Sequence, residues 1–420
     1  MLRDIMDKLN TIELFAGTGG LVDGFEKTYK FNLISAIEWL KPQCDNLVNR
    51  LSKTYNDYNA KEKVLNFDIQ RTEELINGWI DDEIYGSNKG LDFLVGNKKV
   101  DIISGGPPCQ AYSIAGRIRD KNGMKDDYRN FLFESYIRIV NYYKPKIIVF
   151  ENVEGMLSSI PNGEKITDLI KKGFDDIGYE IVDDLRENAL FNLADFGVPQ
   201  NRKRVIIIGI RRDFKDIDYQ SILRNFYKSF KFNYSVKSIK TVREAIGDLP
   251  PIYPLKNIEK RKSHENNSDI NGHYSRFHNE RDQEIFYELA KDIKDETNKY
   301  STTQSLIDLY YEKTGKKTNV HKYNVLKWDE PSNTIPAHLK KDGLRHIHPD
   351  PNQKRSITVR EAARIQTFDD DFEFIKGMGA SFEMIGNAVP PLFGYKIALA
   401  VFNLYHDLRE MEKYYTEKSA

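Results

Sequence analysis

Over about the first two hundred residues, short aliphatic and β-branched runs alternate with helical patterns. Thr11-Ile12-Glu13-Leu14-Phe15 reads as a first strand and Leu33-Ile34-Ser35-Ala36-Ile37 as a second. Val64-Leu65-Asn66-Phe67, residues 101–104 and Lys146-Ile147-Ile148-Val149-Phe150 read as a third, fourth and fifth. Two more are expected at residues 179–182 and 204–209, as antiparallel edge strands. Strands that alternate with helices predict an α/β protein with a mostly parallel sheet covered on both faces.

The pattern weakens after residue 212. Residues 213–355 are polar and tyrosine-rich, and are expected to form a second, smaller domain. Regular spacing returns at 356–420, with a helix predicted over 359–368 and a long amphipathic one over 391–408. Residues 1–212 and 356–420 together are expected to make the larger domain.

Composition narrows this picture. The 420 residues hold 63 Lys and Arg against 63 Asp and Glu, so net charge gives no direct hint of a polyanion partner. Lys260-Arg261-Lys262 and the group Lys313, Lys316 and Lys317 are each read as a solvated face. Two cysteines, Cys44 and Cys109, exclude a disulfide framework and a cysteine-rich zinc site. There is no N-terminal apolar leader pattern and no apolar run near the roughly 18 residues of a membrane span. A reducing, intracellular, membrane-free setting is the expectation.

Gly105-Gly106-Pro107-Pro108-Cys109-Gln110 follows the fourth strand. Proline fixes φ and glycine relaxes it, so this stretch makes a stiff, sharply shaped corner. A thiol presented there is a candidate nucleophile, provided its surroundings ionise it. Phe15-Ala16-Gly17-Thr18-Gly19-Gly20 lies between the first strand and the helix after it, where backbone can approach a ligand closely. Glu38 and Asp68 close the next two strands, where carboxylates can accept from ribose hydroxyls and an adenine amino group. The turn lacks the Gly-Lys-Ser/Thr of a phosphate-binding loop and departs from the dinucleotide G-x-G-x-x-G. A ribose and adenine without a pyrophosphate cradle suggest S-adenosylmethionine over NAD.

Taken in order, these motifs resemble the cytosine-C5 DNA methyltransferases, and the resemblance runs across nearly the whole chain. It rests on Phe15 to Gly20, Glu38-Trp39, Asp68-Ile69, Pro108-Cys109-Gln110 and Glu151-Asn152-Val153. Further on it rests on Gln200-Asn201-Arg202-Lys203-Arg204, the Arg-Glu-x-x-Arg stretch from Arg360 to Arg364, and Gly386-Asn387-Ala388-Val389. The resemblance implies a Rossmann-like S-adenosylmethionine-dependent methyltransferase fold, with residues 213–355 as the target recognition domain. With no regulatory domain expected ahead of the catalytic core, the chain is similar to the compact bacterial modification enzymes.

By that resemblance, Cys109 adds to C6 of the target cytosine, and Glu151 in its protonated form donates to N3. Burial at a strand end is expected to favour that form. Asn152 shapes the corner, Arg204 contacts the cytosine O2, and Arg202 is its partner near the nucleophile loop. Phe15, Gly17, Gly19, Gly20, Glu38, Trp39, Asp68, Ile69, Gly106, Pro108, Leu132 and Asn387 are implied around the cofactor. Gln110, Ser113, Arg117, Arg119 and Thr334 are implied at the DNA, with residues 111–129 read as a lid over a flipped base. Thr334 belongs to the dipeptide Thr334-Ile335. His338, His346 and His348 lie near one another but lack further ligands at fitting spacing, so no metal is expected. Cys44 reads as a buried helix residue.

The expected activity is transfer of a methyl group to cytosine C5 in a specific site of double-stranded DNA. The expected protein is a cytoplasmic, nucleoid-associated bacterial monomer, with a cognate restriction endonuclease acting separately. A tRNA cytosine methyltransferase shares most of these motifs, but the long recognition segment favours DNA. A catalytically inactive binding module would not need Cys109, Glu151 and Arg204. A nicotinamide dehydrogenase would need neither Cys109 nor the Gln-x-Arg-x-Arg segment.

Overall fold

The computed structural model describes residues 8–108, 132–160 and 163–419. The chain packs as two units. The first comprises residues up to Phe196, Lys203–Lys237 and Val389 onward, and the second Gly197–Arg202 and Ser238–Ala388.

The first unit is built on one sheet. Strands β1 (Leu9–Leu14), β2 (Phe31–Glu38), β3 (Val64–Asn66), β4 (Ile102–Gly105) and β5 (Ile147–Val153) run parallel. β6 (Tyr179–Ile181), β7 (Leu190–Asn192) and β8 (Lys203–Arg211) complete it, in the order β3-β2-β1-β4-β5-β8-β6, with β7 on the end of β8. Ile12, Leu14, Ala36, Ile102, Ile103 and residues 147–150 are fully buried. Such continuous apolar runs are what a sheet covered on both faces requires. Helices α1 (Gly20–Glu26), α2 (Lys41–Thr54), α3 (Leu132–Tyr143), α4 (Ile166–Asp176) and α5 (Tyr219–Tyr234) connect or follow the strands.

Three details depart from the expectation. β8 is antiparallel to both neighbours, as expected, but lies inside the sheet between β5 and β6 rather than at its edge. Its Val205-to-Ile210 run is buried on both faces, which suits an interior strand. β5 continues past Phe150 to Val153, so Glu151 and Asn152 stand on the strand itself. The C-terminal helix runs Pro391–Ser419, eleven residues beyond the apolar pattern. Its polar last turns are anchored by Glu412 on the nearly buried ammonium of Lys146. The stretch Met378–Lys418 is long and apolar enough to cross a membrane by composition, but 67% of its most apolar window is buried within the protein. The helix Pro391–Ser419, which makes up most of it, is therefore read as a core helix of the first unit.

The second unit holds α6 (Val242–Ile246), α7 (Glu280–Lys294), α8 (Thr303–Thr314), α9 (Val359–Ile365) and α10 (Met378–Asn387). It also holds a hairpin of β9 (Pro254–Glu259) and β10 (Lys262–His264). Val242, Ile335, Ile357, Phe368, Phe372 and Phe382 form one core, and Ile285, Phe286, Leu309 and Ile347 another. Thr358 and Glu361 cap α9 reciprocally. Thr367, at φ 65°, ends it with its amide on the Arg364 carbonyl and the Phe368 amide on Ala363, a Schellman closure. The helix thus stops three residues short of the predicted 368. α5 packs in the first unit and residues 356–388 in the second, whereas the sequence reading divided the chain after 212 and 355.

Candidate functional site

β1 ends at Leu14, and the chain turns sharply before α1. Phe15, Gly17 and Gly19 all take positive φ, at 57°, 56° and 87°. For Phe15 this conformation is strained, and such strain persists where surroundings hold it. The Ala16 amide is held by the Ile37 carbonyl at 2.9 Å. A Cβ at Gly19 would stand 2.4 Å from Leu47 Cδ1, so this position takes glycine both for its φ and for the close approach of α2. Gly20 begins α1.

Glu38 organises the turn. Its Oε2 accepts from the Gly17 amide and its Oε1 from the Leu40 amide, both at 2.8 Å. Burial pushes the carboxyl's pKa up, and hydrogen bonds from the Leu40, Gly17 and Trp39 amides oppose it. Each carboxylate oxygen retains a lone pair that can accept from a ligand hydroxyl. Trp39 is 51% exposed, its carbonyl held by Asn66 Nδ2 at 2.6 Å. Asp68 Oδ1 caps the Gln70 amide at 3.0 Å, and Ile69 is buried beside it. Under this strand end, Phe67 stacks on Trp79 with ring centroids 3.9 Å apart, and Tyr85 closes on the same ring. Thus the ends of β1, β2 and β3 present glycine backbone, an acid, an exposed indole and a second acid along one sheet edge.

The next strand ends supply different chemistry. A Cβ on Gly106 would lie 2.5 Å from Glu151 Oε2, so the exit from β4 passes directly against that carboxyl. Asn152 is buried on β5; its Oδ1 accepts from the Val153 amide at 2.7 Å and its Nδ2 reaches the Pro107 carbonyl at 3.4 Å. Arg204 on β8 places Nε 2.8 Å from Glu151 Oε1, and its Nη1 donates to the Lys203 carbonyl. Burial pulls the guanidinium's pKa down, and Glu151 counters it. Pro107 is buried, Pro108 exposed, and Leu132 buried at the start of α3.

Arg202 belongs to the second unit. It is 1% exposed within the second unit, and its guanidinium donates to the carbonyls of Ile335 (3.0 Å), Gly386 (2.9 Å) and Ala388 (3.1 Å). Two arginines separated only by Lys203 therefore belong to different units. Gln200 is fully buried in the same unit, bonded to Gln366 and to the Ile335 amide. Thr334 is exposed, with its hydroxyl on the Asn201 carbonyl at 2.7 Å, and Asn387 is exposed at the end of α10. His346 and His348 are buried, and His338 is exposed. Cys109, Gln110, Ser113, Arg117 and Arg119, with the expected lid at 111–129, lie outside the described residues.

Some positioning residues escaped the sequence reading. Asn46 on α2 donates to Thr18 Oγ1 at 2.9 Å, and Asn66 holds the Glu38-Trp39 corner. Neither sits in a motif; a lone asparagine carries no pattern that separates this role from a surface one. Cys44 is buried as expected, its pKa pushed up to about 12 by burial.

Residues 9–403 match the family model described as C-5 cytosine-specific DNA methylase. A type II methyltransferase of Bacillus paralicheniformis, M.Bpa9945I, is 34% identical, covering 93% of this chain and 98% of its own length. The type II methyltransferase M1.HphI of Haemophilus parahaemolyticus is 30% identical, covering 94% and 87%. Among solved structures, a prophage-encoded E. coli protein, a candidate DNA modification methyltransferase, superposes with a TM-score of 0.64 at 22% identity, over 95% of this chain and 100% of its own. That last likeness is one of fold. The ordered motifs, the sheet-edge geometry and a family match spanning nearly the whole sequence lead to one conclusion: the chain belongs to the C-5 cytosine-specific DNA methylases, with type II modification enzymes as its relatives.

Proposed function

We propose that this DNA (cytosine-5) methyltransferase uses S-adenosylmethionine to methylate a cytosine turned out of duplex DNA, through a covalent bond from Cys109. The observation that carries the reading is the Glu151–Arg204 pair, with Gly106 against the same carboxyl. It supports a pocket where a pyrimidine ring meets an acid and a fixed cation.

The residues at the first three strand ends fit the donor. Glu38 keeps acceptor capacity for ribose hydroxyls, Asp68 carries a carboxylate at the next strand end, and Gly17, where a Cβ would meet nothing within 4 Å, leaves room for close approach. When bound, S-adenosylmethionine supplies an activated methyl group.

Cytosine C5 is a poor nucleophile. In the proposed reaction the Cys109 thiolate adds to C6, and the ring electrons move towards N3 and C5. Glu151, carrying a proton, donates to N3 as charge arrives there, and Arg204 holds O2. C5 then takes the methyl group, its proton leaves to a base, and the thiolate departs from C6. Asn152 fixes the proline corner that precedes Cys109. C5 cannot be reached inside a stacked duplex, so the base turns out at a cost of roughly a few kcal/mol. Gln110, Ser113, Arg117 and Arg119 are assigned to the DNA around that base, and Thr334 to a phosphate. In this reading the enzyme works in the bacterial cytoplasm, on nucleoid DNA, and protects sites from a separate endonuclease.

Transfer of labelled methyl from S-adenosylmethionine to duplex DNA and to tRNA tests the reading. Label in duplex DNA at cytosine C5 supports it; label in tRNA alone, or in neither, overturns it.

A further inference from the structure

The β9–β10 hairpin contributes little to the core of its unit, yet it is firmly rooted there. At its base Ser263 and His264 are 2% and 3% exposed. His264 Nε2 pairs with the Gln353 carbonyl at 2.9 Å, and Ser263 Oγ accepts from the His278 amide at 2.9 Å. Gln353 Oε1 holds the Ile252 amide at 3.0 Å and also accepts from Arg355, whose guanidinium grips buried Glu361. The Glu265 amide closes on the Tyr253 carbonyl at 2.9 Å. This network fixes the direction in which the ribbon leaves the unit.

The outer half is the opposite in character. Lys256, Lys260, Arg261 and Lys262 are all exposed, with Glu259 as the sole acid between Lys256 and Lys262. None of these five side chains makes a hydrogen bond or ion pair among the described residues. Elsewhere in the unit, exposed charges such as Arg243 with Asp329, or Lys327 with Glu330, are paired. Glu259 pairs in register with Lys262, so Lys260 and Arg261 form a two-residue tip, with Arg261 held at φ 68°. A basic cluster on an arbitrary loop reads as a solvated face. Here the cations sit on a narrow two-stranded ribbon with a buried root, and no neighbour neutralises them. A two-stranded β-ribbon fits the major groove of B-DNA, and arginine is the side chain that pairs bidentately with guanine O6 and N7 there.

We propose that this ribbon enters the major groove, with Arg261 at a guanine edge and Lys256, Lys260 and Lys262 on flanking phosphates. The proposal rests on the reading that the substrate is duplex DNA, and it names the element that recognises the site.

The test is the methylation profile of plasmid DNA, read by sequencing after incubation with wild type, R261A, R261G, K256A and K260A. Glycine suits the positive φ of the tip, so R261G removes the guanidinium without straining the turn. Both Arg261 variants are expected to lose roughly ten- to a hundred-fold in rate at the cognate site and to relax discrimination at one G·C pair. K256A and K260A should slow all sites alike, and each should lower the slope of log affinity against log salt by about 0.9. Thermal unfolding should stay unchanged in all four. Arg261 variants that keep the wild-type site, rate and salt slope overturn the ribbon's role. A wild-type protein that methylates no duplex DNA overturns the underlying reading instead.

Discussion

Glu151 and Arg204 meet across neighbouring antiparallel strands, with Nε 2.8 Å from Oε1. In register Glu151 opposes Ile206, so Arg204 is its diagonal neighbour on the same face. A two-residue spacing therefore decides which face of β8 meets the acid. Replacing Glu151 by Gln keeps the shape and removes the transferable proton. We expect a turnover loss of about 10²–10⁴-fold with little change in KM for DNA, measured by steady-state kinetics on duplex substrate. Turnover within a few-fold of wild type would remove Glu151 from the proton's path.

Gly106 is a spatial requirement rather than a conformational one. Alanine there would press on Glu151 Oε2 at 2.5 Å, so the carboxyl must shift or the β4 exit must move. G106A is expected to stay folded, losing about 1–3 kcal/mol of stability, while its turnover falls more than ten-fold. Paired melting and activity measurements check this; a stable, fully active G106A would show that the carboxyl's position is not critical.

Arg202 is expected to act on stability before chemistry. Its guanidinium ties three carbonyls of the second unit. R202A should cost about 3 kcal/mol or more, because buried acceptors lose a charged donor. R202K should recover only part of this, since an ammonium cannot reproduce the planar fork. Denaturant unfolding of the three proteins decides the point, and an R202A as stable as wild type contradicts it.

Much of the first unit is legible in the sequence because its strands are short, largely aliphatic runs, several of them followed by glycine, proline or an acid. The strand around Ile147 and the turn at Gly17 stand out for that reason. What the pattern cannot carry is partner identity. Arg202 and Arg204 look equivalent along the chain, yet one binds carbonyls and the other a carboxylate. Likewise β8 reads as an edge strand because the strands beyond it, β6 and β7, are only three residues long and carry little pattern of their own. In the second unit, the Ser263, His264, Gln353 and Arg355 network joins residues far apart in sequence, so Lys260 and its neighbours read only as loop charge.

The buried histidines of the second unit predict acid sensitivity. Burial pulls the pKa of His264 and His346 down to about 4, and that of His278 and His348 to about 3. Unfolded histidines titrate near 6.5, so below that pH the unfolded chain binds more protons than the folded one. The contribution of these residues is complete above about pH 6.5 and is lost as pH falls towards 4 and then 3. Each group removes about 1.4 kcal/mol per pH unit across its window. Denaturant midpoints at pH 7.5, 5.5 and 4.5 should fall steadily, and a flat profile would show that these rings are not held neutral.

Duplex DNA bearing 5-fluorocytosine at the target cytosine gives the most direct test, because fluorine cannot leave C5 as a proton does. Incubated with S-adenosylmethionine, the wild-type enzyme should form a denaturation-resistant adduct whose mass maps to Cys109, and C109S should form none while keeping its fold. Recovery of only free wild-type protein, or a bond mapped to any other residue, contradicts the account.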